Sequence, residues 1–171
     1  TPNQPQSYDL FFNVGSQFNN ESTNGTVALS GLVSGTVDGE SIYMVRIEDL
    51  GSGVAASNLT KIAAGLRNAA GIAFHPLTGD IYFQDNGIDS TTIQNEPQSA
   101  DELNVLPAAQ IGGTVEHYGF STDYIEYRTG TRIGSGSRQP LVAFQPIPDP
   151  YTGSESEGAT EIVFAPAGFP S

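Results

Sequence analysis

The stretch from Gly65 to Asp89, GLRNAAGIAFHPLTGDIYFQDNGID, sets the narrowest limits on what this chain can fold into. Two short apolar runs, Gly71-Ile72-Ala73-Phe74 and Asp80-Ile81-Tyr82-Phe83-Gln84, flank His75-Pro76-Leu77-Thr78-Gly79. Pro76 fixes φ and has no N–H, and Gly79 accepts a positive φ, so the insert is a turn. Ile81 and Phe83 alternate with Tyr82 and Gln84 in the period of two that marks a strand. The unit reads as a β-hairpin, entered through Arg67-Asn68 and left through Asp85-Asn86-Gly87-Ile88-Asp89. Charged and amide groups thus collect at one end of the hairpin, where all-β scaffolds carry binding groups. The same residue types also serve as ordinary turn formers.

Elsewhere the pattern is again short strands and turns. Strands are expected at Tyr8–Val14, Thr26–Val33, Ser41–Ile47, Leu59–Ala64, Thr122–Tyr127, Leu141–Phe144 and Glu161–Phe164. Asp38-Gly39 is a hairpin-type turn, and Pro107–Gln110 suits a short helical turn. Asp101–Leu106 is acidic and then apolar, and Arg128–Gln139 reads as a Gly/Ser loop carrying three arginines. The run Gly71–Pro76 is echoed at Glu161–Pro166, and Asp9–Val14 at Asp80–Asp85. Repeated strand hairpins of this kind suggest a β-propeller, whose blades take about 40–50 residues each.

Charge narrows the function classes. Nineteen Asp and Glu against six Lys and Arg leave a net charge of −13. Such a surface repels phosphate backbones and anionic lipid, so no nucleic-acid partner is expected, and it favours bound cations. The absence of cysteine removes disulfides, thiolate catalysis and Cys-based zinc sites. No apolar run is long enough to span a bilayer, and no signal peptide opens the chain. Asn20-Glu21-Ser22, Asn24-Gly25-Thr26 and Asn58-Leu59-Thr60 match the glycosylation pattern.

Several linked motifs resemble one family. The order G-x-R-N-P-x-G-L/I-A-F-x-P, T-G-x-L/I, an acidic loop with Gly, G-D-E-L/I-N, and G-G-x-x-Y-G-W/F-P is that of the quinoprotein glucose/sorbosone dehydrogenases. Gly65–Pro76, Thr78–Ile81, Asp85-Asn86-Gly87, Asp101–Asn104 and His117–Phe120 follow it, with Ala69 where the family has Pro. The likeness is dense over residues 65–120 and diffuse elsewhere. It implies an all-β, six-bladed β-propeller, of which residues 1–171 form a single partial domain of roughly three to four blades. It also implies a secreted or periplasmic parent oxidising a sugar or polyol with pyrroloquinoline quinone (PQQ) and calcium. Arg67 and Asn68 match the pair that reaches the quinone. The carbonyls of Gly87 and Ile88 match a calcium site at the quinone, and Glu102 with the Tyr118 carbonyl a structural one; Asp101, Asp85 and Asp89 could add oxygens.

No catalytic residue is assigned within the chain. The family's general-base His belongs to a strand that would precede Thr1, and further quinone-binding cations would follow Ser171. His75 and His117 lack partner motifs and read as structural. The alternative function is a non-catalytic extracellular propeller, an interaction or assembly module completed by the rest of its propeller or by a second copy. A propeller lactonase with a central carboxylate ring ranks third. Fold alone does not choose among them.

Overall fold

The computed structural model describes residues 6–23, 25–92, 96–146 and 160–165. These residues are all-β, with strands β1 (Gln6–Val14), β2 (Thr26–Leu29), β3 (Gly35–Asp38), β4 (Ser41–Asp49), β5 (Val54–Ala64), β6 (Ala69–Phe74), β7 (Ile81–Asp85), β8 (Asp101–Leu106), β9 (Glu116–His117), β10 (Tyr124–Ile125), β11 (Arg132–Ile133) and β12 (Val142–Phe144). One 3₁₀ turn lies at Ala108–Gln110. Among the described residues no helix is long and apolar enough to cross a membrane.

Two four-stranded sheets carry the structure. The first has the order β1-β4-β5-β9 and the second β12-β8-β7-β6; β2-β3 and β10-β11 are two-stranded ribbons. Pairing is antiparallel except between β5 and β9, where Ala63 and Ala64 run parallel to Glu116 and His117. The hairpin β6–β7 turns at His75–Gly79, where the Gly79 N–H donates to the His75 carbonyl (2.9 Å) and Gly79 has φ +74°.

The two sheets close on each other through alternate residues. Ile42 and Ile62 of the first sheet meet Ile81, Phe83 and Leu106 of the second, with Leu66, Ala69 and Tyr118 filling the seam. Phe83 is fully buried and meets the Tyr118 ring edge-on at 5.0 Å. Phe11 of β1 meets Phe74 of β6 in the same manner at 4.8 Å. On the far side of the second sheet, Phe164 packs edge-on against His75 (5.0 Å) and Tyr82 (5.1 Å). Apolar burial of this kind is the main stabilising term, at about 1.5–3 kcal/mol per large side chain.

The expected hairpin, the Ser41 strand and the Tyr8 strand all form. Four expectations differ. The strand expected over Thr26–Val33 stops at Leu29, because Gly31 and Gly35 take φ +127° and +137° and reverse the chain into β3. Only Tyr124–Ile125 of Thr122–Tyr127 pairs, and its partner, Arg132–Ile133, lies in the stretch read as loop. Residues 161–165 join no ladder: Gly71, φ +60°, takes the Thr160 carbonyl so closely that a Cβ would stand 2.6 Å from its oxygen. That segment is held by the Phe164 ring rather than by strand pairing. The echo at Pro166 lies outside the described residues.

Because Phe83 has no exposed surface and bridges both sheets, Phe83→Ala is expected to cost about 3–5 kcal/mol in chemical denaturation. Leu77→Ala, at a turn residue 88% exposed, is expected to stay within about 0.5 kcal/mol of the parent.

Candidate functional site

The alternation that builds the core also builds the site. Ile81, Phe83 and Asp85 share one face of β7, and Glu102, Asn104 and Leu106 share the adjoining face of β8. The antiparallel register sets Ile81 beside Leu106, Phe83 beside Asn104 and Asp85 beside Glu102. The core face therefore runs from apolar at one end to two neighbouring carboxylates at the other. Both are more than nine-tenths buried, at 8% exposure each.

Asp85 has a structural role. Its Oδ2 accepts the Arg67 N–H (3.0 Å) and its Oδ1 the Asn68 N–H (2.7 Å). The Asn86 N–H donates in return to the Asn68 carbonyl (3.2 Å). This ties the entry of the hairpin to its exit. Arg67 extends the tie outward: its Nη2 donates to Asn19 Oδ1 (2.8 Å) and Asp89 Oδ2 (2.7 Å), and its Nε to the Asn19 carbonyl (3.2 Å). Arg67 and Asn68 also border a surface cleft of about 290 Å³ with Ser16–Asn19.

Glu102 is less well served. Its Oε2 receives Asn104 Nδ2 at 3.4 Å, a long bond, and Asn104 Oδ1 has no hydrogen-bond partner among the described residues. Beside it lies a cavity of about 20 Å³, room for one water-sized guest. Arg67, Asp85, Gly87, Ile88, Glu102, Tyr118 and Asp123 are among its walls. Gly87 is obligatory there, since a Cβ would collide with the Ser99 carbonyl.

Each expected site residue can now be placed. Gly87, Ile88, Glu102 and Tyr118 surround one cavity. The Ile88 carbonyl already accepts two amides, from Gln98 (2.5 Å) and Ser99 (3.2 Å), so both its lone pairs are taken. Asp101 stands behind the wall, with Oδ1 accepting the Gly87 N–H at 2.6 Å. The Tyr118 hydroxyl turns away to donate to the Val105 carbonyl (3.0 Å). His75 caps its turn, accepting the Thr78 N–H at Nδ1 (3.1 Å), and His117 Nδ1 accepts the Gly119 N–H (3.1 Å).

Sequence reasoning missed Asp123. This buried carboxylate accepts Arg132 Nε (2.8 Å) and Nη2 (2.6 Å) together with Ser137 N–H (2.8 Å) and Oγ–H (2.6 Å). The arginine fork and these donors hold its pKa far below the carboxylate range. It closes the cavity from the β10–β11 side. Its only signal in the sequence was an Asp spaced from an Arg inside an apparent loop.

The charge ledger is uneven. All six Lys and Arg side chains are paired, with Asp9, Asp38, Asp89, Glu96, Asp123 and Glu116. None of them pairs with Asp85 or Glu102. Burial, then Asp85 beside it, pushes Glu102 up to about 8. Burial likewise raises Asp85 to about 7, against the pull of its two amides and Arg67. The pair titrates as a unit, and Asp85, with the better donors, ionises first. Among the described residues no group of three or more His, Cys, Asp and Glu is arranged to hold a metal. A cation here would therefore need main-chain or amide oxygens and water as well as these carboxylates, which calcium accepts.

No family model matches the chain, and no solved structure matches it. It is similar to an uncharacterized protein of Borreliella burgdorferi, 41% identical over 59 residues, which are 34% of this chain and 14% of that protein. The chain thus matches only a small part of that relative's length.

The pKa shifts fix a pH dependence for the metal-free protein. Both folded pKa values lie above the unfolded ones, so between about pH 4 and pH 8 the folded chain holds more protons than the unfolded chain. Their effect on stability is smallest in acid and most destabilising above about pH 8. Thermal melts across this window are expected to show stability falling as pH rises from this source. Glu102→Gln is expected to flatten that slope and to raise the melting temperature at pH 8.

Proposed function

We propose that this chain is part of a β-propeller of the glucose/sorbosone dehydrogenase type, and that its own contribution is a calcium site beside Asp85 and Glu102. The observation that carries the reading is the neighbouring buried carboxylate pair without a basic partner, set against a cavity of about 20 Å³. Two like charges at adjacent strand positions repel, and a divalent cation would turn that repulsion into attraction. Glu102 supplies a carboxylate oxygen, Gly87 and Tyr118 border the cavity, and Asp85 sets the charge. Calcium in such a place stiffens the junction between the β7–β8 loop and the Tyr118 segment.

The propeller reading is supported by successive aromatic packing. Phe11 meets Phe74, and Phe164 then meets His75 and Tyr82, so each layer offers an aromatic side chain to the next. In a secreted or periplasmic parent such layers would close a ring and house sugar or polyol oxidation. PQQ fits these residues poorly on their own. It carries carboxylates, and Arg67, the basic side chain at the cleft beside Asn68, is already shared between Asp89 and Asn19. A quinone site would need cations from other parts of the parent. That same commitment of Arg67 favours the second reading, a propeller that keeps the scaffold and calcium as an assembly module.

Calcium is expected to stabilise the chain by about 2.7 kcal/mol at a hundredfold excess over Kd, which is about 5–10 °C for a domain of this size. Differential scanning calorimetry with calcium and with magnesium checks this. Glu102→Gln is expected to abolish the calcium response while the protein remains folded. An unchanged melting temperature in calcium would sink the proposal.

A further inference from the structure

Two sequence echoes have a counterpart in space. Asp9–Val14 echoes Asp80–Asp85, and Glu161–Pro166 echoes Gly71–Pro76, so Leu10 stands for Ile81, Phe11 for Tyr82 and Phe164 for Phe74. Phe11 meets Phe74 edge-on at 4.8 Å, and Tyr82 meets Phe164 edge-on at 5.1 Å. The two contacts join equivalent residues. β1 is thus the counterpart of β7, and residues 161–165 are the counterpart of β6.

The counterparts are unequally partnered. β7 lies between β6 and β8. β1 pairs with β4 along its whole length, and among the described residues its other edge joins no ladder. Residues 161–165 join none either. Exposure follows pairing. Ile81 is fully buried, whereas Leu10 is 53% exposed; Ala73 is half-buried, whereas its counterpart Val163 is 92% exposed. Edge strands are normally guarded by Lys, Pro or a bulge. β1 has neither Lys nor Pro, its register with β4 is unbroken, and its one charge, Asp9, is paired with Arg46.

Each chain therefore carries one hairpin strand that lacks its first half and another that lacks its second. We infer that two copies complete each other, residues 161–165 of one adding antiparallel to the free edge of β1 in the next. The β6–β7 register pairs Phe74 with Ile81, Ala73 with Tyr82 and Ile72 with Phe83. Carried over, it sets Phe164 beside Leu10, Val163 beside Phe11 and Ile162 beside Phe12, with no like charges opposed. Phe164 keeps its contact with Tyr82 of its own chain, just as Phe74 pairs in β6 while touching Phe11. The first sheet then gains the strand that β6 supplies to the second. The contact is head to tail, so copies close into a ring or continue as a filament. The inference deepens the assembly-module reading and rests on its layered packing; it uses no residue of the calcium cavity.

Sedimentation equilibrium of the full chain tests it. The mass is expected to rise above the monomer with concentration, and more so at high salt, which screens the net charge of −13. Leu10→Lys and Val163→Lys each place a charge at an exposed position and are expected to weaken association about tenfold or more. Each variant keeps the other half of the contact, so mixing the two is expected to restore a dimer. Should Leu10→Lys lose its fold by circular dichroism, Val163→Lys, in a segment outside any ladder, decides alone. A chain monomeric at every concentration, folded variants that associate like the parent, or a mixture of folded variants that stays monomeric would overturn the inference. A calcium-dependent rise in melting temperature in such a monomer would leave the calcium reading standing.

Discussion

The Asp85 carboxylate holds this structure in register. Strand alternation carries it to the end of the core face, and there it receives the backbone N–H groups of Arg67 and Asn68. Those two bonds fix where the hairpin β6–β7 begins relative to where it ends. The Asn86 amide and the Arg67 side chain then attach the loops at 86–90 and 15–19. Removing the acceptor would leave two part-buried donors without their partner, at up to about 1–3 kcal/mol each. Burial, and then this same carboxylate across the ladder, disfavours the charged form of Glu102.

That arrangement conflicts with the general preference for burying carboxylates beside cations. The conflict is local. Asp123, on the other side of the cavity, has Arg132 and Ser137 and is fully satisfied, whereas Glu102 has one long bond from Asn104. Asn104 in turn keeps a carbonyl oxygen that has no partner among the described residues. Local departures from good hydrogen bonding tend to mark functional positions, and here two fall on adjacent inward positions of β8, beside a cavity sized for one small guest. A calcium ion would relieve the charge, and the cavity would then add to the fold's stability.

Much of the fold was legible because it rests on local rules. Period-two alternation and the Pro76–Gly79 turn are enough to place β6 and β7, and the apolar run at Tyr8–Val14 is enough for β1. The pairing of Arg132–Ile133 with Tyr124–Ile125 was not legible, since two-residue strands leave no periodic trace and are held by the Arg132–Asp123 bond. The reversal at Gly31–Gly35 was hidden for a related reason: a glycine inside an apolar run reads as a weakened strand until its positive φ is seen. At the site, the motifs named Gly87, Ile88, Glu102 and Tyr118, which line one cavity, and Asp101, whose Oδ1 accepts the Gly87 N–H.

The Asp85–Glu102 pair is proposed to hold a calcium ion. Anomalous difference density from crystals grown with calcium would show such an ion. A peak is expected in the cavity beside Glu102, Gly87 and Tyr118, at oxygen distances of about 2.3–2.6 Å, with its loss in Glu102→Gln. A well-ordered cavity holding water alone, with calcium in the crystal, would contradict it.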